Sequence, residues 1–117
     1  MPAIVAGMYK LIQQLEAVGL DFTVDDLVAG AQVILDGALQ RVPVDTGELY
    51  DSGHLEVQND DVLVVFSAPH ASYVEFGIRN PNYPVQPYLR PAIDEDEPQA
   101  LSAIVDSVQS HMRDITK

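Results

Sequence analysis

The sequence contains no cysteine. That excludes disulfide frameworks, thiolate zinc sites, iron–sulfur clusters and cysteine nucleophiles together, and it fits a reducing compartment. Basic residues are scarce. Six Lys and Arg face 18 Asp and Glu, and the only lysines are Lys10 and Lys117. The formal net charge is −12. A chain that grips nucleic-acid phosphates needs a basic face, so this balance excludes a generic binder of that kind. It equally disfavours docking on an anionic membrane surface. No apolar run approaches the roughly 18 residues of a membrane span. The first ten residues, MPAIVAGMYK, lack the basic start of a secretory signal, so none is expected.

What is present can fold. The chain has 117 residues, 47% of them hydrophobic. That length predicts a single domain over 1–117, burying roughly two-thirds of its unfolded surface. Ile4, Met8, Leu11, Leu15 and Val18 recur at helical spacing and predict a first helix ending at Gly19. Thr23 is suited to cap a second helix, with Asp25 and Asp26 in its first turn. Its apolar stripe runs through Leu27, Ala31, Ile34, Ala38 and Val42 until Pro43. Gly30 and Gly37 flank that stripe and suggest close packing of another element or another subunit.

Residues 43–53 are rich in turn formers, with room for one helical turn between Thr46 and Ser52. His54 to Gln58 alternates strictly and predicts a half-wet strand. Asn59-Asp60 reads as a hairpin turn, and Val62 to Phe66 as a strand apolar on both faces. His70 to Phe76 predicts a short helix closed by Gly77. The proline-rich stretch 78–87 reads as a loop, and Tyr88 to Ile93 as a helical turn. A last helix is capped by Glu97, with Pro98 first and Leu101, Ile104, Val105, Val108, Met112 and Ile115 on its apolar face. The acids Asp94 to Glu97 suit that helix's N-terminus. The predicted class is α+β: a small antiparallel sheet or hairpin packed by a long N-terminal helix and a C-terminal helix.

Catalytic patterns are weak. Asp45-Thr46-Gly47 and Asp51-Ser52-Gly53 match the aspartic-protease triplet. That mechanism needs two carboxylates from equivalent lobes or subunits, and triplets six residues apart do not supply them. An aspartic-protease-like enzyme using Asp45 is the remotest alternative. His54 and Glu56 share a strand face, but no further metal ligands accompany them. No serine sits in a nucleophile elbow, and no glycine-rich phosphate loop exists. No catalytic, cofactor or metal residues are expected.

Two ordered segments are more specific. The first is Arg41-Val42-Pro43-Val44-Asp45-Thr46-Gly47-Glu48-Leu49-Tyr50-Asp51-Ser52. The second is Tyr73-Val74-Glu75-Phe76-Gly77, a proline-rich loop, and Gln86-Pro87-Tyr88-Leu89-Arg90-Pro91-Ala92. Together they resemble the small head–tail connector family of long-tailed bacteriophages and archaeal tailed viruses, the neck or tail-completion proteins also catalogued as tail components. The likeness spans about residues 30–93. It departs at Ile78, where threonine is usual, and at Gly53-His54 and Ser72.

The resemblance implies a non-enzymatic virion protein of the neck or upper tail, assembled in the host cytoplasm. Copies would form a ring around the DNA channel, six by expectation and twelve as the alternative. The ring would join head completion or adaptor proteins to the tail tube or tail terminator. DNA would pass without specific binding, and no membrane would be involved. The structural and interface candidates are Pro43, Asp45, Thr46, Gly47, Leu49, Ser52, Tyr73, Glu75, Phe76, Gly77, Tyr88, Arg90 and Pro91. Asp45 and Thr46 can fix a tight turn, and Gly47 can take positive φ. Arg90 can pair with a carboxylate such as Glu75, Asp45 or Glu48. Tyr73, Phe76 and Tyr88 are expected to be core or interface anchors. The contrasting reading is an acidic DNA-mimic inhibitor. A salt-loving host would also produce so acidic and lysine-poor a surface.

Overall fold

The computed structural model describes residues 4–42, 47–59, 61–68, 71, 75 and 87–115. Within them lie β1 (Ile4–Gly7), α1 (Tyr9–Ala17), α2 (Val24–Arg41), α3 (Glu48–Ser52), β2 (Gly53–Gln58), β3 (Asp61–Phe66), α4 (Leu89–Glu95) and α5 (Glu97–Ile115). The architecture is α+β, as the sequence predicts.

The first helix is shorter than its periodicity suggests. Ile4 to Gly7 form a strand, and the helix begins only at Tyr9. The reason is tertiary. β3 lies in the middle of a three-stranded antiparallel sheet of order β1-β3-β2, and β1 supplies its second ladder. Four residues carry too little local preference to resist such a partner. Leu11 and Leu15 do face the core, whereas Val18 is the C-cap and stays 77% exposed. Gly19 takes φ +71° and closes α1 as expected. Its N–H donates to the Glu16 carbonyl and that of Leu20 to the Leu15 carbonyl, the paired bonds of a Schellman end.

The second helix begins as predicted. Thr23 Oγ1 accepts from the Asp26 N–H, and the Asp26 carboxylate accepts from the Thr23 N–H, a complete capping box. Asp26 is nevertheless buried, because Ser107 of α5 donates to its other oxygen at 2.6 Å. That contact sets the register of the two long helices. Asp26 lies by Ser107, Gly30 by Ile104 and Ala100, and Gly37 by Asp96, so α2 and α5 run antiparallel. A Cβ on Gly30 would sit 2.6 Å from Ile104 Cδ1 and 3.2 Å from the Ala100 carbonyl. The glycines therefore serve an element of the same chain.

β3 is apolar on both faces because it is central. Val62, Val64 and Phe66 point into the core beneath α2, with Leu27, Ile34 and Ile104. Ladder partners share a face, so His54 lies opposite Val65 and Glu56 opposite Leu63 on the other side. The hairpin turns at Asn59, which takes φ 53°; Asp60 lies outside the described residues. α5 starts at Glu97 itself, with the Ala100 N–H donating to the Asp96 carbonyl. Met112, though on the apolar stripe, is 59% exposed because α5 runs past the start of α2.

Candidate functional site: the junction of the two motif segments

The first segment ends in α3. Gly47 is its N-cap at φ 82°, a left-handed conformation that a side chain would strain. The Asp51 N–H donates to the Gly47 carbonyl, and Ser52 Oγ donates to the Leu49 carbonyl at 2.8 Å. Leu49 is buried in the core, and Asp51 is exposed. Pro43, Asp45 and Thr46 lie outside the described residues. Gly47, Leu49 and Ser52 thus fix one turn of helix.

The second segment is organised by Glu75, which is buried. Ala71 and Glu75 are both helical. Tyr73, Phe76, Gly77 and most of the proline-rich loop fall outside the described residues. The Glu75 carboxylate reaches across to the start of α4. Oε1 accepts from the Tyr88 N–H at 3.0 Å and the Leu89 N–H at 2.7 Å, and Oε2 accepts from the Arg90 N–H at 3.1 Å.

The significance lies in the count. A helix leaves its first four N–H groups without an internal acceptor. In α4 these belong to Tyr88, Leu89, Arg90 and Pro91. Glu75 takes three, and Pro91 has no N–H to satisfy. One side chain and one proline close the whole helix start. The negative charge also meets the positive end of the helix dipole.

Tyr88 completes the junction. It is fully buried, its hydroxyl donates to the Ala71 carbonyl at 2.9 Å, and its ring meets Phe66 edge-on at 4.8 Å. Burial, then the neighbouring Glu75 charge, pushes its phenol above the ordinary range. Arg90 meets Glu75 through its backbone N–H.

Sequence reasoning missed Arg41 as a clamp. Its guanidinium donates to Asp96 Oδ2 at 2.9 Å, Glu95 Oε2 at 2.8 Å and the Gly37 carbonyl at 2.9 Å. A Cβ on Gly37 would occupy the position of Asp96 Oδ2. Glu97 is engaged too, by Lys10 at 2.9 Å and by Gln14. So three acids of the 94–97 run hold α1, α2, α4 and α5 together. The signal was the pairing of a lone Arg at a helix end with a glycine four residues earlier.

His54 and Glu56 bond each other. His54 Nε2 lies 2.7 Å from Glu56 Oε2, and Nδ1 lies 2.8 Å from the Ser52 carbonyl. A carbonyl and a carboxylate both accept, so the geometry favours the doubly protonated ring. The Glu56 bond, then the Ser52 carbonyl, raises the His54 pKa above 6.5. A raised folded-state pKa stabilises fully below the unfolded value, and that increment is lost as pH rises through the folded one. The increment is small, since both side chains are over 40% exposed. The expected result is a His54 titration by NMR above 6.5, returning towards 6.5 in Glu56→Gln. A midpoint at or below 6.5 in the unsubstituted protein would contradict the pairing.

Among the described residues no group of three His, Asp or Glu side chains converges to hold a metal ion. An open groove lined by Asp36, Leu39, Gln40 and Tyr50 offers one charged group. Among the described residues of the motif segments, Ser52 and Glu75 direct their polar atoms to helix ends.

Residues 7–77 match the family model described as "Bacteriophage HK97-gp10, putative tail-component". The chain belongs to this phage tail-component family. The matched range carries α1, α2, α3, the β2–β3 hairpin and Glu75, while the α4 start that Glu75 caps lies just beyond it. No curated protein and no solved structure gives a significant match. Among the described residues no helix is long and apolar enough to cross a membrane.

Proposed function

We propose that this chain is a non-enzymatic neck or tail-completion subunit of the virion, folded as one domain over 1–117. Copies form a closed ring between head completion proteins and the tail tube, with the DNA channel through its centre. The observation that carries this reading is membership of the tail-component family over residues 7–77. The roles found for the motif residues agree with it. Gly47, Ser52, Glu75 and Pro91 complete helix ends, and Tyr88 fills the core.

Cyclic closure requires two different, complementary faces on each subunit. The turn 43–53 and the loop 78–87 are proposed as partner-facing elements, since proline restricts the backbone and a proline-rich segment loses less entropy on docking. Pro43, Asp45, Thr46, Tyr73, Phe76, Gly77 and Arg90 belong to them or border them. The acid excess suits a channel that DNA must pass without being held, because a net charge of −12 repels phosphate.

The test is labelling of purified virions with an antibody raised against this chain. Label at the head–tail junction is expected. Label at the tail tip, or virions without the chain, would overturn the neck assignment.

A further inference from the structure

The three-stranded sheet has two outer edges, and their chemistry differs from that of the helices. Each of the five described helices exposes at least one carboxylate: Glu16 on α1, Asp36 on α2, Asp51 on α3, Asp94 on α4 and Asp106 on α5. The sheet edges do not add to this charge. β1, Ile-Val-Ala-Gly, has no ionisable residue. β2 carries one His and one Glu, bonded to each other. Among the described residues neither outer edge has a ladder partner. β1 also lacks the proline, lysine or inward charge with which proteins blunt an open edge.

The geometry points to the outer edges of β1 and β2 as the contact between copies of this chain, β1 of one pairing with β2 of the next. This rests on the ring reading and names its interface. Charge selects the occupant. Two chains of net charge −12 repel overall, and every described helix adds an exposed carboxylate to that repulsion. An uncharged strand against a strand bearing a closed His–Glu pair brings no like charges together. Topology allows it. β1 and β2 are each antiparallel to β3, hence parallel to one another. Rotating one copy onto the next therefore sets β2 beside β1 in parallel, a heterologous contact that can repeat around a ring. Its backbone hydrogen bonds would turn separate three-stranded sheets into a continuous one.

The absence of cysteine makes the test clean. Ala6 and Leu55 both pair with Val64, and Val57 pairs with Val62, so all three lie on one face of the sheet. Within one chain β1 and β2 are separated by β3, about 9–10 Å apart. That exceeds the roughly 7 Å limit for a disulfide, so any bridge forms between copies. Ala6→Cys/Leu55→Cys and Ala6→Cys/Val57→Cys cover two registers. At least one pair, oxidised in the purified protein or in its co-expressed complex with neighbouring structural proteins, is expected to give a reducible ladder beyond the dimer. Neither single Ala6→Cys nor single Val57→Cys should pass the dimer.

Hydrogen exchange on the unsubstituted protein guards against misfolded variants. The amides of Ile4–Gly7 and Gly53–Gln58 should slow at least tenfold on assembly. A ring-sized native mass with no ladder and unchanged exchange at both strands overturns the edge contact and leaves the ring standing. A monomer under every condition overturns both.

Discussion

Replacing Glu75 with alanine is expected to remove on the order of 3–5 kcal/mol of stability, the largest loss expected from a single polar group among the described residues. The carboxylate accepts from three backbone N–H groups at the start of α4, and it is buried. Without it those donors face the interior with no acceptor. For a domain of this size the loss corresponds to a fall in Tm of roughly 10–20 °C. Two further substitutions identify the cause. Glu75→Met keeps most of the volume and no acceptor, so it should lose nearly as much as alanine. Glu75→Gln keeps one oxygen but turns an NH2 towards an N–H, and should fall about midway. Thermal unfolding followed by circular dichroism reads all three. A Glu75→Met protein as stable as the original would show that the contact is packing and not a cap.

The second large effect is expected at Asp26. Its carboxylate serves two helices at once, closing the capping box of α2 and accepting from Ser107 of α5 at 2.6 Å. Asp26→Ala opens the reciprocal half of the capping box, leaving the Thr23 N–H without its carboxylate while Thr23 Oγ1 still accepts from the N–H of residue 26, a loss of up to about 1 kcal/mol. It also removes a buried bond to a charged acceptor, roughly 1.5–3 kcal/mol. The expected total is about 2–4 kcal/mol in denaturant unfolding. Ser107→Ala alone should cost less, and the Asp26→Ala/Ser107→Ala pair should cost less than the sum by at least about 1 kcal/mol. Additive losses would mean that the inter-helix bond contributes nothing and only the cap matters.

These two sites differ in how far the sequence reveals them. The capping box is legible because both partners lie three residues apart before an apolar stripe. The burial of Asp26 is not, since Ser107 is 81 residues away. The close approach at Gly30 and Gly37 is legible as spacing, but only the fold shows that Ile104 and Asp96 use the space. The β2–β3 hairpin follows from alternation and turn residues. β1 does not, because Ile4, Met8, Leu11 and Leu15 keep helical spacing across a strand–helix boundary. Its strand state comes from pairing with Val64, Val65 and Phe66.

The Glu75 cap sits at the far end of that scale. A carboxylate bonded to backbone leaves no pairwise pattern in sequence. Yet two signals were present. The α4 start has no Ser, Thr, Asp or Asn at its cap, where Tyr88 stands instead. And Glu75 lies in the apolar string Tyr73-Val74-Glu75-Phe76. An uncapped helix start and a stranded buried acid can satisfy each other. The same carboxylate ties together the two halves of the second motif segment.

The central claim is that the functional unit is a ring of this chain at the head–tail interface. Native mass measurement of the full-length protein, alone and co-expressed with its neighbouring head and tail proteins, tests it most directly. A discrete multiple of the 12.8 kDa chain is predicted, six copies by expectation or twelve, alone or on a partner. A stable monomer or simple dimer that ignores those partners would contradict it.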